Sequence, residues 1–425
     1  MWDWVLHKSS WQQGVKTLNN PETIYGAPTS ENQVASQLVM AASQLGLDST
    51  AVGGPVSSLV MIGESDQIHL SHGLSDLDQL NDAFEQLREY SKQLGRVVTA
   101  SVAFPFDPVK AGTITIPKLV FSSAENSTTT IHQNVGSKAN ADGVETLAEK
   151  ILRIALDLNP YPGPVIAKRI DRPDRERWAE MMEEALSLIA RKRLRKIVLS
   201  RSAIFEPVHG LSASEAFVRL HRYYPRASSY LFGKYAGASP ELVLSIDKGR
   251  LKSRPLAGTR RKGLIEQLQE SEKDTREHAI VVQGITEALS QFSNDIEHPS
   301  NPSVLTFGPV QHLMTTITGT VNEGLNPLAV LAKIAPTPAV AGDPKGLALQ
   351  EIIRLEASPR DLYAGIVGTI DSNGDADLHL ALRNVRFVRH QAEIRTGVGI
   401  VAGSDAHSEF AETEAKIDSV TAALA

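Results

Sequence analysis

The stretch that most constrains this chain is its last, Arg395-Thr-Gly-Val-Gly-Ile-Val-Ala-Gly-Ser-Asp-Ala-His-Ser-Glu-Phe-Ala-Glu-Thr-Glu-Ala-Lys416. A strand-like run ends on Gly397 and Gly399, a polar turn follows, and a helix begins. Ser408 is the expected cap of that helix, because a serine hydroxyl accepts an orphan amide proton. Glu409, Glu412 and Lys416 fall three and four apart, on one helical face. Ile417, Val420 and Leu424 continue an apolar stripe beside them, which places the face near buried surface. Taken alone, early acids and a later lysine simply suit the helix dipole. The pattern repeats, however. In Ser271-Glu-Lys-Asp-Thr-Arg-Glu-His278, Asp274 and Glu277 again stand three apart, ahead of an apolar run. Two acidic helix starts that face each other repel unless protons or a cation intervene. An all-oxygen set of this kind is suited to Mg2+.

At 425 residues and 42% hydrophobic content, the chain can bury one very large core or two to three ordinary ones. A formal net charge of -6 gives no support to nucleic-acid binding. With no cysteine, disulfides, zinc-thiolate sites and a thiol nucleophile are excluded. The first residues lack a basic segment followed by an apolar run, and no apolar stretch reaches the length of a membrane span. A cytoplasmic protein with no membrane partner is the expectation.

Periodicity predicts helices over Glu31–Leu47, Leu77–Leu94 and Asp174–Arg193. Ser57–Gly63 and Gln67–Ser71 read as paired strands, Val97–Phe104 as a buried strand, and Ser122–Gly143 as a loop. Lys196–Arg201 reads as a strand whose lysine is a solvated end. Tyr230–Gly233 and Leu242–Asp247 read as strands flanking Gly237-Ala-Ser-Pro-Glu241. Glu241 therefore enters a buried strand from a tight turn, where an acid is paired, protonated or bonded to backbone amides. Pro255 and Gly258 imply a fixed turn, and Arg260–Lys262 a solvated basic run. Val310–Val321 reads as one long strand carrying His312. A hairpin across Asp371–Asp375 puts Arg383 in mid-strand, which suggests either an anion partner or a buried salt bridge.

The ordered set Lys196-Ile-Val-Leu-Ser-Arg201, Ser239-Pro-Glu241, Pro255-Leu-Ala-Gly-Thr259, Glu277-His278, Pro336-Thr-Pro-Ala-Val340, Tyr363-Ala-Gly-Ile-Val-Gly368 and Glu409 to Lys416 resembles the chorismate-utilising enzymes. These include anthranilate synthase large subunits and aminodeoxychorismate, isochorismate and salicylate synthases. The match is uninterrupted from Lys196 to the C-terminus. Phe104-Pro-Phe-Asp-Pro108 with Ile116-Pro117 resembles the N-terminal part of isochorismate synthases. The resemblance implies an α+β fold, with two large packed antiparallel β-sheets flanked by helices. Residues 1–160 would form its N-terminal part and 161–425 its chorismate-binding catalytic region, in one compact unit.

The resemblance also implies roles. Lys196, where ammonia-adding members carry glutamine, would be a general base for water, and Glu241 the general acid. Ala257 stands where aminodeoxychorismate synthases carry a nucleophilic lysine, so a non-covalent, water-adding isomerase of the isochorismate synthase type is implied. Glu277 and Glu412 resemble direct Mg2+ ligands, with Asp274 and Glu409 reaching the ion through water. Asp274 departs from the glutamate of some members, and a shorter acid suits that outer position. Arg383 and Tyr363 would grip the enolpyruvyl carboxylate, Gly399 would offer an amide, and Lys416 a charge at the metal-bound end. Gly258, Thr259 and His312 would line the ring. The partner is chorismate as a small-molecule substrate, with no glutamine amidotransferase subunit and a monomeric chain expected. The product would serve menaquinone or siderophore synthesis. The alternative is a salicylate synthase, which goes on to eliminate pyruvate. A non-catalytic chorismate binder would need neither the acid nor the base.

Overall fold

The computed structural model describes residues 4–6, 31–54, 57–124, 129–133, 150–151, 154, 165–209 and 211–425. Every described strand pairing is antiparallel. The strand Lys196–His209 has Val165–Arg172 along one edge and Gln391–Ile400 along the other. From there the ladder runs through Asn384–Val388, Tyr235–Ser239, Ser228–Phe232, Ser49–Gly53, Ser57–Leu70 and Gly112–Ala124. It then passes through Thr99–Phe104 to Ile366–Asp371, Ala376–Leu380, Leu242–Asp247, Arg250–Arg254 and Ile317–Thr320. Strands from the first third of the chain are thus hydrogen-bonded into the same framework as strands from the last. A separate small sheet joins Leu256–Arg261, Val310–Met314 and Ser303–Phe307. Helices cover this framework, an α+β arrangement as the resemblance implies.

Side chains alternate across a strand, so one long ladder can serve a core and a site at once. Ile197 and Leu199, opposite Ile400 and Val398, lie in the larger apolar core with Trp178, Met182 and Phe410. Ala203 and Phe205, opposite Ile394 and Ala392, join a second core with Phe217, Ile417 and Val420. Between these positions, Val198, Arg395, Gly397 and Gly399 line a cavity. Arg201 is the exception to the apolar filling. It is fully buried, donates to Thr413 Oγ1 at 2.6 Å and to Asp171 Oδ1 at 2.9 Å, and lies 4.0 Å over the Phe410 ring. That network ties the Ala406–Leu424 helix to the strand that begins with Lys196.

Several local expectations are corrected. Ser57–Leu70 is one continuous strand with an irregularity between Glu64 and Asp66, not a hairpin. Residues 122–124, the end of the strand Gly112–Ala124, and Thr129–Gln133 are in strands where a loop is expected, and residues 125–128 and 134–143 of that stretch lie outside the described residues. Tyr235–Ser239 is itself a strand. Pro255 to Arg261 is mostly extended, and Gly258 supplies a bulge with φ of 72° rather than a turn. The run from Val310 breaks after Met314 and resumes at Ile317 in the other sheet. Asp405, not Ser408, caps the last helix, its carboxylate accepting from the Ser408 amide at 2.8 Å. No helix among the described residues is long and apolar enough to cross a membrane.

Candidate active site

The two acidic helix starts meet the end of the Gln391–Ile400 strand. Ser271 caps the Glu272–Leu289 helix by accepting from the Asp274 amide at 3.2 Å. Along that helix Asp274, Glu277, His278, Val281, Ile285 and Leu289 are buried. The spacing is that of an amphipathic stripe, so the carboxylates occupy the core-facing positions of the first turns. On the Ala406–Leu424 helix Glu409, Thr413, Lys416, Ile417, Val420 and Leu424 are buried in the same manner. Two glycines permit the approach. A Cβ at Gly258 would lie 3.0 Å from the Asp274 Cβ, and one at Gly399 would collide with the Glu277 carboxylate and Lys196.

Buried charge is costly unless paired, and each of the four acids has its own cation. Asp274 Oδ2 is 2.8 Å from Arg260, Glu277 Oε1 is 3.0 Å from Lys196 Nζ, Glu409 Oε1 is 2.6 Å from Lys273, and Glu412 Oε1 is 2.7 Å from Lys416. The expected solvated roles of Lys196 and Arg260 are therefore corrected. Lys196 has no exposed surface, because Gly342 and Gly399 close over its strand end. With each carboxylate drawn to its own cation, no three metal-ligating side chains among the described residues converge closely enough to hold an ion as they stand. The acids nonetheless feel one another. Burial and then repulsion from Glu412 push the Glu409 carboxyl up to about 7, against Lys273. Burial works to lower Lys273, but Glu409, Glu277 and Glu412 outweigh it and hold its ammonium above the ordinary value. Burial raises Asp274, and Arg260 opposes it.

Beside these pairs lies a cavity of about 70 Å³. Glu241, Gly258, Thr259, Glu277, His312, Tyr363, Arg383, Gly399, Glu412 and Lys416 line it. The structure thus brings ten of the sequence-derived candidates to one wall. Lys196, Asp274 and Glu409 do not line it: Lys196 is in contact with Glu277, which does, and Asp274 and Glu409 are held in their own ion pairs. A wider cleft of about 660 Å³ opens elsewhere, but Arg88, Lys92 and Lys248 in it are interleaved with Glu85, Glu323 and Asp375 and it contains none of the candidates.

Glu241 is almost fully buried at the turn before Leu242–Asp247. Burial pushes its carboxyl up to about 8, against the Leu256 amide and the charges of Lys196, Lys416 and Arg383. It holds a proton at neutral pH. His312 is held neutral, its burial and the nearby Arg383 driving its pKa well below the ordinary value. A guanidinium can only donate, so the 3.2 Å contact from Arg383 Nη2 makes His312 Nε2 the acceptor. Nδ1 then carries the proton and donates to Thr259 Oγ1 at 3.0 Å, across the register of the small sheet.

Arg383 is not in mid-strand. The strand stops at Leu380, and Arg383 takes a φ of 48° in the break before Asn384. It is buried, and among the described residues no carboxylate lies within ion-pair distance of it. Of the two partners left open for it, this favours an external anion. Tyr363 is buried and kept neutral by that burial. Lys416 also donates to the Gly397 carbonyl at 2.8 Å. Two neighbours escaped the sequence reading. Arg395 lines the cavity while donating to the Pro359 carbonyl and Ser358. The other is Lys273, which lies among the acids of a helix start with nothing in the sequence to single it out. An arginine two residues before Gly397, on the same strand as Gly399, is the available signal for the first.

The "Chorismate binding enzyme" family model matches residues 79–425. Isochorismate synthase EntC of Escherichia coli K12 is 33% identical over 270 residues, 60% of this chain and 68% of that protein. Isochorismate synthase MenF of Bacillus subtilis is 27% identical over 411 residues, 87% of this chain and 86% of that protein. The solved structure of the menaquinone-specific isochorismate synthase MenF from Escherichia coli superposes with a TM-score of 0.75 at 24% identity, covering 94% of this chain and 92% of that one. At that identity the last likeness is one of fold.

Proposed function

The chain belongs to the chorismate-binding enzyme family, and on that premise we propose that it is an isochorismate synthase. It would add water at C2 of chorismate as the C4 hydroxyl departs. The observation that carries this reading is the buried Glu241 carboxyl, its pKa pushed up by that burial, on the wall of a cavity that also presents Arg383. Glu241 gives its proton to the leaving C4 oxygen, and Lys196 takes one from the attacking water, so the water consumed at C2 is balanced by the water lost from C4. To act as base, Lys196 has to be neutral, so before the step it gives up its ammonium proton to solvent and parts from Glu277, which is one of the residues assigned to the metal.

Glu277 and Glu412 would hold Mg2+ directly, and Asp274 and Glu409 through water. The donor set fits, being four carboxylates with no soft ligand. When bound, the ion supplies positive charge against the ring carboxylate. Arg383 and Tyr363 bind the enolpyruvyl carboxylate. Gly399 contributes its amide and Lys416 its charge at the metal end. Gly258, Thr259 and the neutral His312 shape the ring wall. The cavity of about 70 Å³ is well below the several hundred Å³ usual for a small-molecule site, so the self-paired charges of its lining have to rearrange as substrate enters. Residues 1–160 and 161–425 act as one unit in this reading, since N-terminal strands complete the framework that holds the site. No further chain is required to supply ammonia.

The test is product analysis after incubation with chorismate and Mg2+. Isochorismate leaving the enzyme, with little salicylate near neutral pH, is expected. Stoichiometric salicylate and pyruvate from the first turnovers would make the protein a salicylate synthase instead, and no conversion would make it a binder.

A further inference from the structure

We propose that Lys273 is a built-in stand-in for the metal ion, holding the acidic helix starts together in the metal-free enzyme and competing with Mg2+ for them. The proposal rests on the assignment of Asp274, Glu277, Glu409 and Glu412 to the metal.

Lys273 occupies the first turn of the Glu272–Leu289 helix, where the dipole disfavours a cation. Its position is explained by what lies opposite. Its ammonium reaches 2.6 Å from Glu409 Oε1 on the other helix, so it bridges the two acidic starts, as an ion between them would. The Glu409 side chain is only 3% exposed and that of Lys273 21%, so the pair is shielded from solvent screening. The remaining three pairs are of a different kind. Lys196 and Lys416 belong to the proposed catalytic and substrate groups, and Arg260 comes from the small sheet to Asp274. Lys273 alone has no other partner or task on the cavity wall among the described residues.

The charge balance gives the consequence. Four carboxylates face four cations, and Arg383 adds a further positive charge without a carboxylate of its own. A divalent cation arriving alone therefore enters a site that is already neutralised. Metal binds weakly until an anionic substrate joins it, so metal and substrate bind cooperatively, each offsetting the other's charge. Removing the charge of Lys273 leaves one acid free and lets metal bind without substrate.

The experiment is calorimetric titration of MgCl2 into the substrate-free enzyme, comparing wild type with Lys273→Gln, Lys273→Arg and Glu412→Gln. Lys273→Gln keeps a donor toward Glu409 and loses the charge. It is expected to bind Mg2+ about tenfold more tightly than wild type, the scale of one charge interaction in a partly buried site. Lys273→Arg is expected to stay near the wild-type affinity. Lys273→Met, which keeps the apolar stem, gives the same comparison where the amide does not fold. Equal or weaker Mg2+ binding by the neutral variants, with Glu412→Gln weakened as expected, would overturn the proposal and leave the metal assignment standing. Glu412→Gln binding Mg2+ like wild type would remove the metal assignment and this proposal with it.

Discussion

Replacing Glu241 by glutamine separates the two things its burial does. The carboxyl is pushed from an ordinary value of 4.5 up to about 8. Between those limits the native protein keeps a proton that the unfolded chain has released. Stability therefore falls as pH rises through this window and levels off above it. The gap corresponds to ~5 kcal/mol, an upper bound because water can enter the opened site. The glutamine side chain of Glu241→Gln has no proton to lose, and its carbonyl oxygen can still accept from the Leu256 amide. Urea unfolding of both proteins from pH 5 to pH 9, without Mg2+, isolates the effect. Near pH 5 the two are expected to be similarly stable, and at pH 8 and above the variant is expected to be more stable by several kcal/mol. Subtracting the curves removes Glu409, which titrates in both. Turnover moves the opposite way, with the variant slower by about a hundredfold or more, as befits loss of a general acid. In wild type, activity is expected to decline above about pH 8 as the acid loses its proton. A flat difference curve would refute the argument, since it would mean that Glu241 is ionised in the native state.

Three further outcomes follow from the same geometry. Glu277→Gln or Glu412→Gln is expected to abolish turnover, whereas Asp274→Asn should be milder; wild-type-like rates for Glu412→Gln at low Mg2+ would contradict this. Lys196→Ala is expected to keep substrate binding and to slow the chemical step by about a hundredfold or more, in single-turnover measurements. Weakened binding with intact turnover at saturation would make Lys196 a positioning group. Arg383→Met should raise KM by about tenfold or more, yet stabilise the substrate-free protein by about 1–3 kcal/mol, because a buried charge without a carboxylate partner is removed. A loss of stability would indicate that a protein group already satisfies it.

What could be read from the sequence was local. The acidic helix starts carry their own signal, since Asp274 and Glu277, or Glu409 and Glu412, need only a helical period to share a face. Glu241 could be placed at the mouth of a buried strand from Pro240 and the apolar run after it. The misplaced elements depend on residues far away in the chain. Lys196 is buried because Gly342 and Gly399, about 150 and 200 positions later, leave no side chain between the strands. The stretch from Val310 to Thr320 has the alternation of one strand, but Met314 pairs with Ser303 and Leu256 while Ile317 pairs with Ser253 of the other sheet. Arg383 adopts a left-handed backbone, a conformation that nothing in Ala-Leu-Arg-Asn announces. Lys273 carries no signal of its own in the sequence because its partner, Glu409, lies on another helix 136 residues away.

The central claim is that solvent water, activated on one side of the ring by Lys196, enters at C2 while Glu241 releases the C4 hydroxyl. Running the reaction with chorismate and Mg2+ in 18O-labelled water and weighing the isochorismate tests it most directly. One 18O atom per product molecule is expected from the first turnovers, carried at C2, with the original C4 oxygen lost to solvent. Isochorismate formed without label would mean that the hydroxyl migrates within the molecule, and would contradict it.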